Sequence, residues 1–275
     1  MFRLRLFGLL AARTALVCFL FAVVRHAAAA PLSSWVGAAN EFASRERVEL
    51  SLPSLSRLSE LPINVSRGGE ATDWRVGAGW ALNIPHVSLD RAKMLRSGTG
   101  ASFYVSSAHG RLVEADGFLI PQSQANTSSH KYRIVTAGDG RIQLALQSSE
   151  RPREVWYFGS RAASRLTGPE GTAVWYLDRI ENVEGDSVNL RYREIPGEAP
   201  LLESLSTSPD PFEIMFSYKA LRNPTGEDFR HGFAVKNSHV LQTVSVLSRA
   251  TGEDLFRTRF EFKESTWLGA SSLLL

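Results

Sequence analysis
Cysteine is almost missing from this 275-residue chain: the one example is Cys18. From residue 31 onward there is none, which excludes disulfides, a thiol nucleophile and thiolate metal ligation there. Acidic residues are absent from the first 30 positions, where Arg3, Arg5, Arg13 and Arg25 all fall. Setting those four aside leaves 27 basic against 28 acidic residues, so the formal charge of +3 belongs to the N-terminal segment. A nucleic-acid partner loses its electrostatic basis. Long hydrophobic runs are scarce too. The apolar stretch Ala15 to Val24 is shorter than the roughly 20 residues a membrane-spanning helix needs. Nor does any window hold helical periodicity beyond about three turns.

What residues 1–30 do contain is an order: arginines, the apolar stretch, then Ala28-Ala29-Ala30 before Pro31. That order fits a secretory signal peptide with an Ala-x-Ala exit, formed as a helix and then removed. The expected location is extracellular, with a signal-anchored chain at a membrane as the alternative, and no stable membrane span after cleavage. A core built without disulfide staples is feasible, because some 245 residues can bury enough apolar surface.

Residues 31–47 carry little pattern and read as a linker. Beyond them the dominant period is two, the signature of a strand with one buried face. Val48, Leu50 and Leu52 alternate with polar residues, as do Leu61, Ile63 and Val65. Further strands are expected at 102–106, 132–136, 141–147, 154–158, 173–181, 187–193, 212–218, 240–248 and 255–261. Turn residues separate them: Asp139-Gly140, Glu184-Gly185-Asp186 and Thr251-Gly252-Glu253-Asp254. Phe212, Ile214, Phe216 and Tyr218 should share one face. The fold class is all-β, an extended antiparallel sheet or a β-shell or sandwich of consecutive hairpins. Over 266–275 the chain ends in an apolar tail, which marks either a fragment of a longer chain or a last strand.

No arrangement of residues nominates a catalyst. A Gly-x-Ser-x-Gly elbow is missing, and Gly77-x-Gly79 lacks the third glycine of a dinucleotide fingerprint. Ser206-Thr207-Ser208 has no Glu-x-Glu after it, as an ADP-ribosyltransferase would require, and reads as a polar loop. His86, His109, His130, His231 and His239 lack metal-ligand spacing. Catalytic, cofactor-binding and metal-binding residues are therefore all expected to be none. Asn64 and Asn126 fit glycosylation acceptors in a eukaryotic source only. Trp156, Tyr157, Phe158, Trp175 and Tyr176 fall within two strands. Exposed, they would form a platform for sugar or protein; alternating into the core, they would pack across strands.

Several segments in order resemble one family. Gly77-Ala-Gly-Trp80-Ala-Leu-Asn-Ile-Pro85-His-Val-Ser88 resembles the Gly-x-Gly-Trp-x-Leu-x-x-Pro-x-Ile-Ser motif of the SpvB/TcaC-type N-terminal domain, shared with the opening segments of RHS (YD-repeat) proteins. The paired strands over Val48 to Ser66 resemble those leading into that motif. Trp156-Tyr-Phe-Gly159 and the run from Trp175 to Tyr192 resemble its strand and hairpin, with Gly185-Asp186 where the family has Gly-Asn. Phe212 to Tyr218, His231-Gly-Phe233 and Val240 to Val246 resemble its later strands and turn. The resemblance covers about 48–262, and it implies a β domain over 48–265 that is secreted and non-catalytic. Such a domain would be a scaffold or shell in the assembly or delivery of a toxin-like polypeptide, with any ADP-ribosyltransferase activity in a separate region. Its partners would be further β-shell or RHS/toxin domains or subunits, and it would carry no cofactor. The alternative is an extracellular carbohydrate- or protein-binding β module.

Overall fold
The computed structural model describes residues 48–51, 64–67, 80–91, 94, 103–124, 130–136, 142–148, 154–208, 211–222, 227–261, 263–267 and 270–274. The expected signal peptide, the linker, Leu61, Ile63, the Gly77–Gly79 segment, the Asp139-Gly140 turn and Asn126 lie outside them. Every named strand pairing among them is antiparallel. β1 (Val48–Ser51), β2 (Asn64–Arg67) and β3 (Trp80–Asn83) form a small sheet in that order.

The main sheet begins with β4 (His86–Leu89), β5 (Tyr104–Ser106), β6 (Gly110–Ala115) and β7 (Phe118–Pro121). It continues with β8 (His130–Thr136), β9 (Ile142–Ser148), β10 (Glu154–Phe158), β11 (Arg165–Gly168) and β12 (Gly171–Asn182). Consecutive strands from β4 to β10 pair in sequence order, β4 pairs with β12, and β10 pairs with β12 as well. The ring β4-β5-β6-β7-β8-β9-β10-β12 therefore closes on itself into a barrel. Closure removes free edges on that side.

β12 makes closure possible because it is long and changes partners partway. On one edge it pairs with β11 and then β10; on the other it pairs with β4 through Val174–Tyr176 and then with β13 (Ser187–Arg193) from Arg179. All six residues from Ala173 to Asp178 are buried, as befits a strand covered on both faces. From β13 the sheet runs on through β14 (Leu201–Ser208), β15 (Phe212–Ala220), β18 (His239–Ser248) and β19 (Asp254–Arg259). A two-strand ribbon, β16 (Glu227–Asp228) and β17 (Val235–Lys236), interrupts the connection between β15 and β18. β20 (Lys263–Trp267) and β21 (Ala270–Leu274) form a terminal hairpin, so the apolar tail has a strand partner.

One hydrophobic cluster runs through barrel and extension. Inside the barrel Tyr104 meets Trp175, and Tyr132 meets Phe158, with ring centroids 5.9 and 6.1 Å apart. In the extension Ile214 and Phe216 are buried, and Phe212 and Tyr218 pack against the same cluster. The period-two reading of this strand holds up to a bulge at Ser217/Tyr218. Two segments depart from expectation. Leu201–Ser208 is a strand, not a polar loop; Leu202 and Leu205 are buried and the small hydroxyl residues fit between paired neighbours on β13 and β15. Strands also form at Gly110–Ala115 and Phe118–Pro121, outside the expected set, as a hairpin turning at Asp116-Gly117; Leu119, Ile120 and Pro121 are buried in succession, so period-two alternation is lost there.

Candidate functional site: four polar clusters on the β framework
The aromatic set does not divide by simple alternation, because β12 is covered on both faces. Phe158, Trp175 and Tyr176 are buried, with Trp175 3% exposed, while Trp156 and Tyr157 are half-buried. Trp156 packs on the core, and the Arg179 guanidinium lies 5.8 Å from the centroid of the Tyr157 ring. Trp175 thus offers no exposed flat face. Asn64 opens β2, paired with Ser51 and Asn83 in the middle of the small sheet.

The histidines, dispersed in sequence, are gathered by the fold. His109, in the turn after β5, meets His130 at the start of β8 with ring centroids 4.2 Å apart. Below them Tyr132 is fully buried, and its hydroxyl lies 2.8 Å from Ser106 Oγ and 2.6 Å from His109 Nδ1. Ser106 Oγ accepts the backbone N–H groups of Ala108 and His109, both at 3.2 Å. With its acceptor sites taken, Ser106 donates to Tyr132, whose own proton passes to His109 Nδ1. Burial raises the Tyr132 pKa well above the usual phenol range, against the smaller opposing effect of the Ser106 hydrogen bond.

Asp178 forms a second cluster. It is the extra residue of a bulge, since Tyr157 pairs with Arg179 and Phe158 with Leu177. Bulges re-aim side chains, and here Asp178 is buried at 0% exposure. Oδ2 accepts Ser160 Oγ and Ser164 Oγ at 2.6 Å and the Arg161 backbone N–H at 3.0 Å. Its chemistry is structural: it holds the turn between β10 and β11.

Glu198, Ser238 and His239 superficially resemble a hydrolytic triad. However, Ser238 Oγ (3.1 Å) and Glu198 Oε2 (3.0 Å) both face the same nitrogen, His239 Nδ1. A triad needs the serine on one ring nitrogen and the carboxylate on the other, so that the proton crosses the imidazole. Ser238 also hydrogen-bonds Glu198 Oε1 directly. The trio fastens the start of β18 to the segment after β13.

A fourth cluster surrounds His231. His231 is half-buried in the β16–β17 loop, near Asp228 and Arg230 of its own loop, His86 of β4, and Arg91 just beyond β4. Burial first, then the Arg230, His86 and Arg91 charges, hold its imidazole below the usual range against the pull of Asp228. Among the described residues no group of three or more His, Cys, Asp or Glu converges as a metal site would require. None of these clusters carried a local motif; the only sequence signal was the histidine positions themselves.

No protein-family model and no curated protein sequence matches the chain. Solved structures do. The N-terminal domain of effector protein SpvB from Salmonella typhimurium strain LT2 superposes with a TM-score of 0.66 at 13% identity, over 83% of this chain and 97% of that one. A chain of the TcdB2-TccC3-Cdc42 crystal structure matches with a TM-score of 0.65 at 13% identity, over 82% of this chain. A chain of the Photorhabdus luminescens Tc holotoxin pore matches with a TM-score of 0.63 at 13% identity, again over 82%. Against each of those two longer chains, this one spans 14% of the length. The chain has the fold of the SpvB N-terminal domain, as the motif order around Trp80, Trp175 and Phe212 predicts.

Proposed function
We propose that this chain is a secreted, non-catalytic shell domain of a toxin-like polypeptide, acting in its assembly or delivery. One observation carries the reading. The sheet closes on itself at β10–β12, fills its interior with side chains, and then continues through β13, β14, β15 and β18 to end at β19. A filled barrel with a lateral sheet builds wall. The structural neighbours support the context, since the same fold occurs within TcdB2-TccC3 assemblies. Its partners would be further β-shell or RHS/toxin subunits, and the four polar clusters serve to pin turns and connections. No helix among the described residues is long and apolar enough to cross a membrane.

The test uses the full chain in its producing cells. A photo-crosslinking residue is placed at Val183, 75% exposed at the β12–β13 turn, and at Arg257 on β19. Secreted chain joined to an RHS- or toxin-type polypeptide is the expected result, with no NAD+ consumption or hydrolase turnover by the purified chain. Recovery as a free monomer, or turnover of either kind, would overturn the proposal.

A further inference from the structure
The connection between β15 and β18 bridges the extension and the barrel. Its described part, residues 227–238, folds back onto the barrel beside β4 and the β11–β12 turn. Two contacts seat it there. Phe233 lies flat on Gly168, so closely that a Cβ there would come 2.3 Å from the ring. Gly232, with φ of +84°, lets the loop turn against Arg91, whose Cδ would be 3.1 Å from a Cβ. Its far end stays tied to the extension, where the Lys236 N–H donates to the Gly197 carbonyl between β13 and β14 at 2.8 Å. Phe229 remains 64% exposed at the loop tip.

His231 sits where the loop meets the barrel. The charged and titratable groups facing it are Asp228 and Arg230 from the loop, and His86 and Arg91 from β4 and the residues after it. Both nearby carboxylates are already committed. Asp228 accepts the Arg230 backbone N–H at 2.9 Å and its guanidinium at 2.6 to 3.0 Å. Glu170, in the β11–β12 turn, is ion-paired with Arg91. A proton arriving on His231 would therefore create a half-buried imidazolium with no uncommitted anion beside it among the described residues, next to two guanidiniums and the His86 ring.

We propose that residues 227–236 form an acid-released latch: neutral His231 lets the loop close over the β11–β12 turn, and its protonation lifts the loop and uncovers Phe233. The sign follows from linkage. Closing favours the neutral imidazole, so the closed state is at full strength above about pH 6.5, the ordinary histidine value, and weakens as pH falls through it. Each unit by which closing depresses the His231 pKa weakens the closed state about tenfold once the group is fully charged. The latch rests on the fold alone and stands or falls separately from the shell role.

Amide hydrogen exchange on the full chain, expressed as protection factors at pH 7.5 and 5.0, tests it. The amides of Phe233 and of Gly168, which the Phe233 ring covers, should lose about tenfold in protection at pH 5.0 while the Lys236 amide, tied to Gly197, and the β12 amides keep theirs. His231→Gln should abolish the acid loss, and Gly168→Ala should open the loop at both pH values. Unchanged wild-type protection, or an acid loss persisting in His231→Gln, would refute the latch. Should that variant fail to fold, an NMR titration of the wild type decides: loop amide shifts must follow the His231 ring with one shared midpoint, and separate midpoints refute it.

Discussion

The Tyr192 hydroxyl donates to the Leu177 carbonyl oxygen at 2.5 Å, in the interior. Leu177 stands where β12 exchanges one neighbour for another. Its N–H bonds the Pro85 carbonyl just before β4, and β13 pairs only from Arg179 onward. N–H and C=O of one strand residue point to the same edge, so the Leu177 carbonyl faces the gap between β4 and β13. Tyr192 fills that gap from β13 and satisfies an oxygen that no strand reaches. The seam between barrel and extension is thereby held by a side chain.

Removing that hydroxyl should therefore be costly out of proportion to its size. Tyr192→Phe leaves a buried carbonyl without a donor and should lower stability by about 1–3 kcal/mol. Urea denaturation measures this. An unchanged midpoint would mean that water reaches the seam.

Asp178 should prove more sensitive to the loss of its charge-bearing group than to a polar replacement. Asp178→Ala takes the acceptor from the Ser160 hydroxyl and leaves the Ser164 hydroxyl and the Arg161 N–H only their bonds to each other's residue, at a cost on the order of 3 kcal/mol. Asp178→Asn keeps an acceptor oxygen and should cost roughly 1 kcal/mol. Paired thermal and urea unfolding of the two variants gives the comparison; equal losses would argue against the hydrogen-bonding account.

Two glycines with left-handed backbone should respond differently to alanine. Gly159 has φ of +64°, and a Cβ there would lie 2.4 Å from Trp175 Cδ1. Gly185, with φ of +89°, has nothing within 4 Å. Gly185→Ala should cost about 1–2 kcal/mol from backbone conformation alone. Gly159→Ala adds overpacking against the indole, about 1–3 kcal/mol more, and should shift tryptophan fluorescence as Gly185→Ala does not.

Alkaline stability should depend on Tyr132. Its pKa is raised in the folded chain, chiefly by burial, whereas an unfolded tyrosine ionises near 10. The unfolded state releases its proton first, so stability falls as pH rises above about 10. Tyr132→Phe removes this contribution. Between pH 9 and 11 its urea midpoint should fall less than that of the wild type, although at pH 8 it is the less stable protein because Ser106 and His109 lose a partner. Parallel decline of both proteins would contradict the buried-phenol assignment.

Local sequence determined what local physics controls. Alternation at Ile214 and Phe216 dictated which side chains enter the core, and Gly185 placed the turn in which the Asp186 N–H bonds Asn182 Oδ1 at 2.8 Å. These depend on neighbours a few residues apart, within reach of a period-two pattern. The pairing of Trp156 with Ile180, which closes the ring, and of Trp175 with Val87 came from tertiary structure alone. So did the meeting of His231 with His86, and of His109 with His130. Alternation states which face a residue presents, not which strand lies beside it. Partner choice is settled collectively, when enough faces are buried together to offset the entropy of closing the long loops between them.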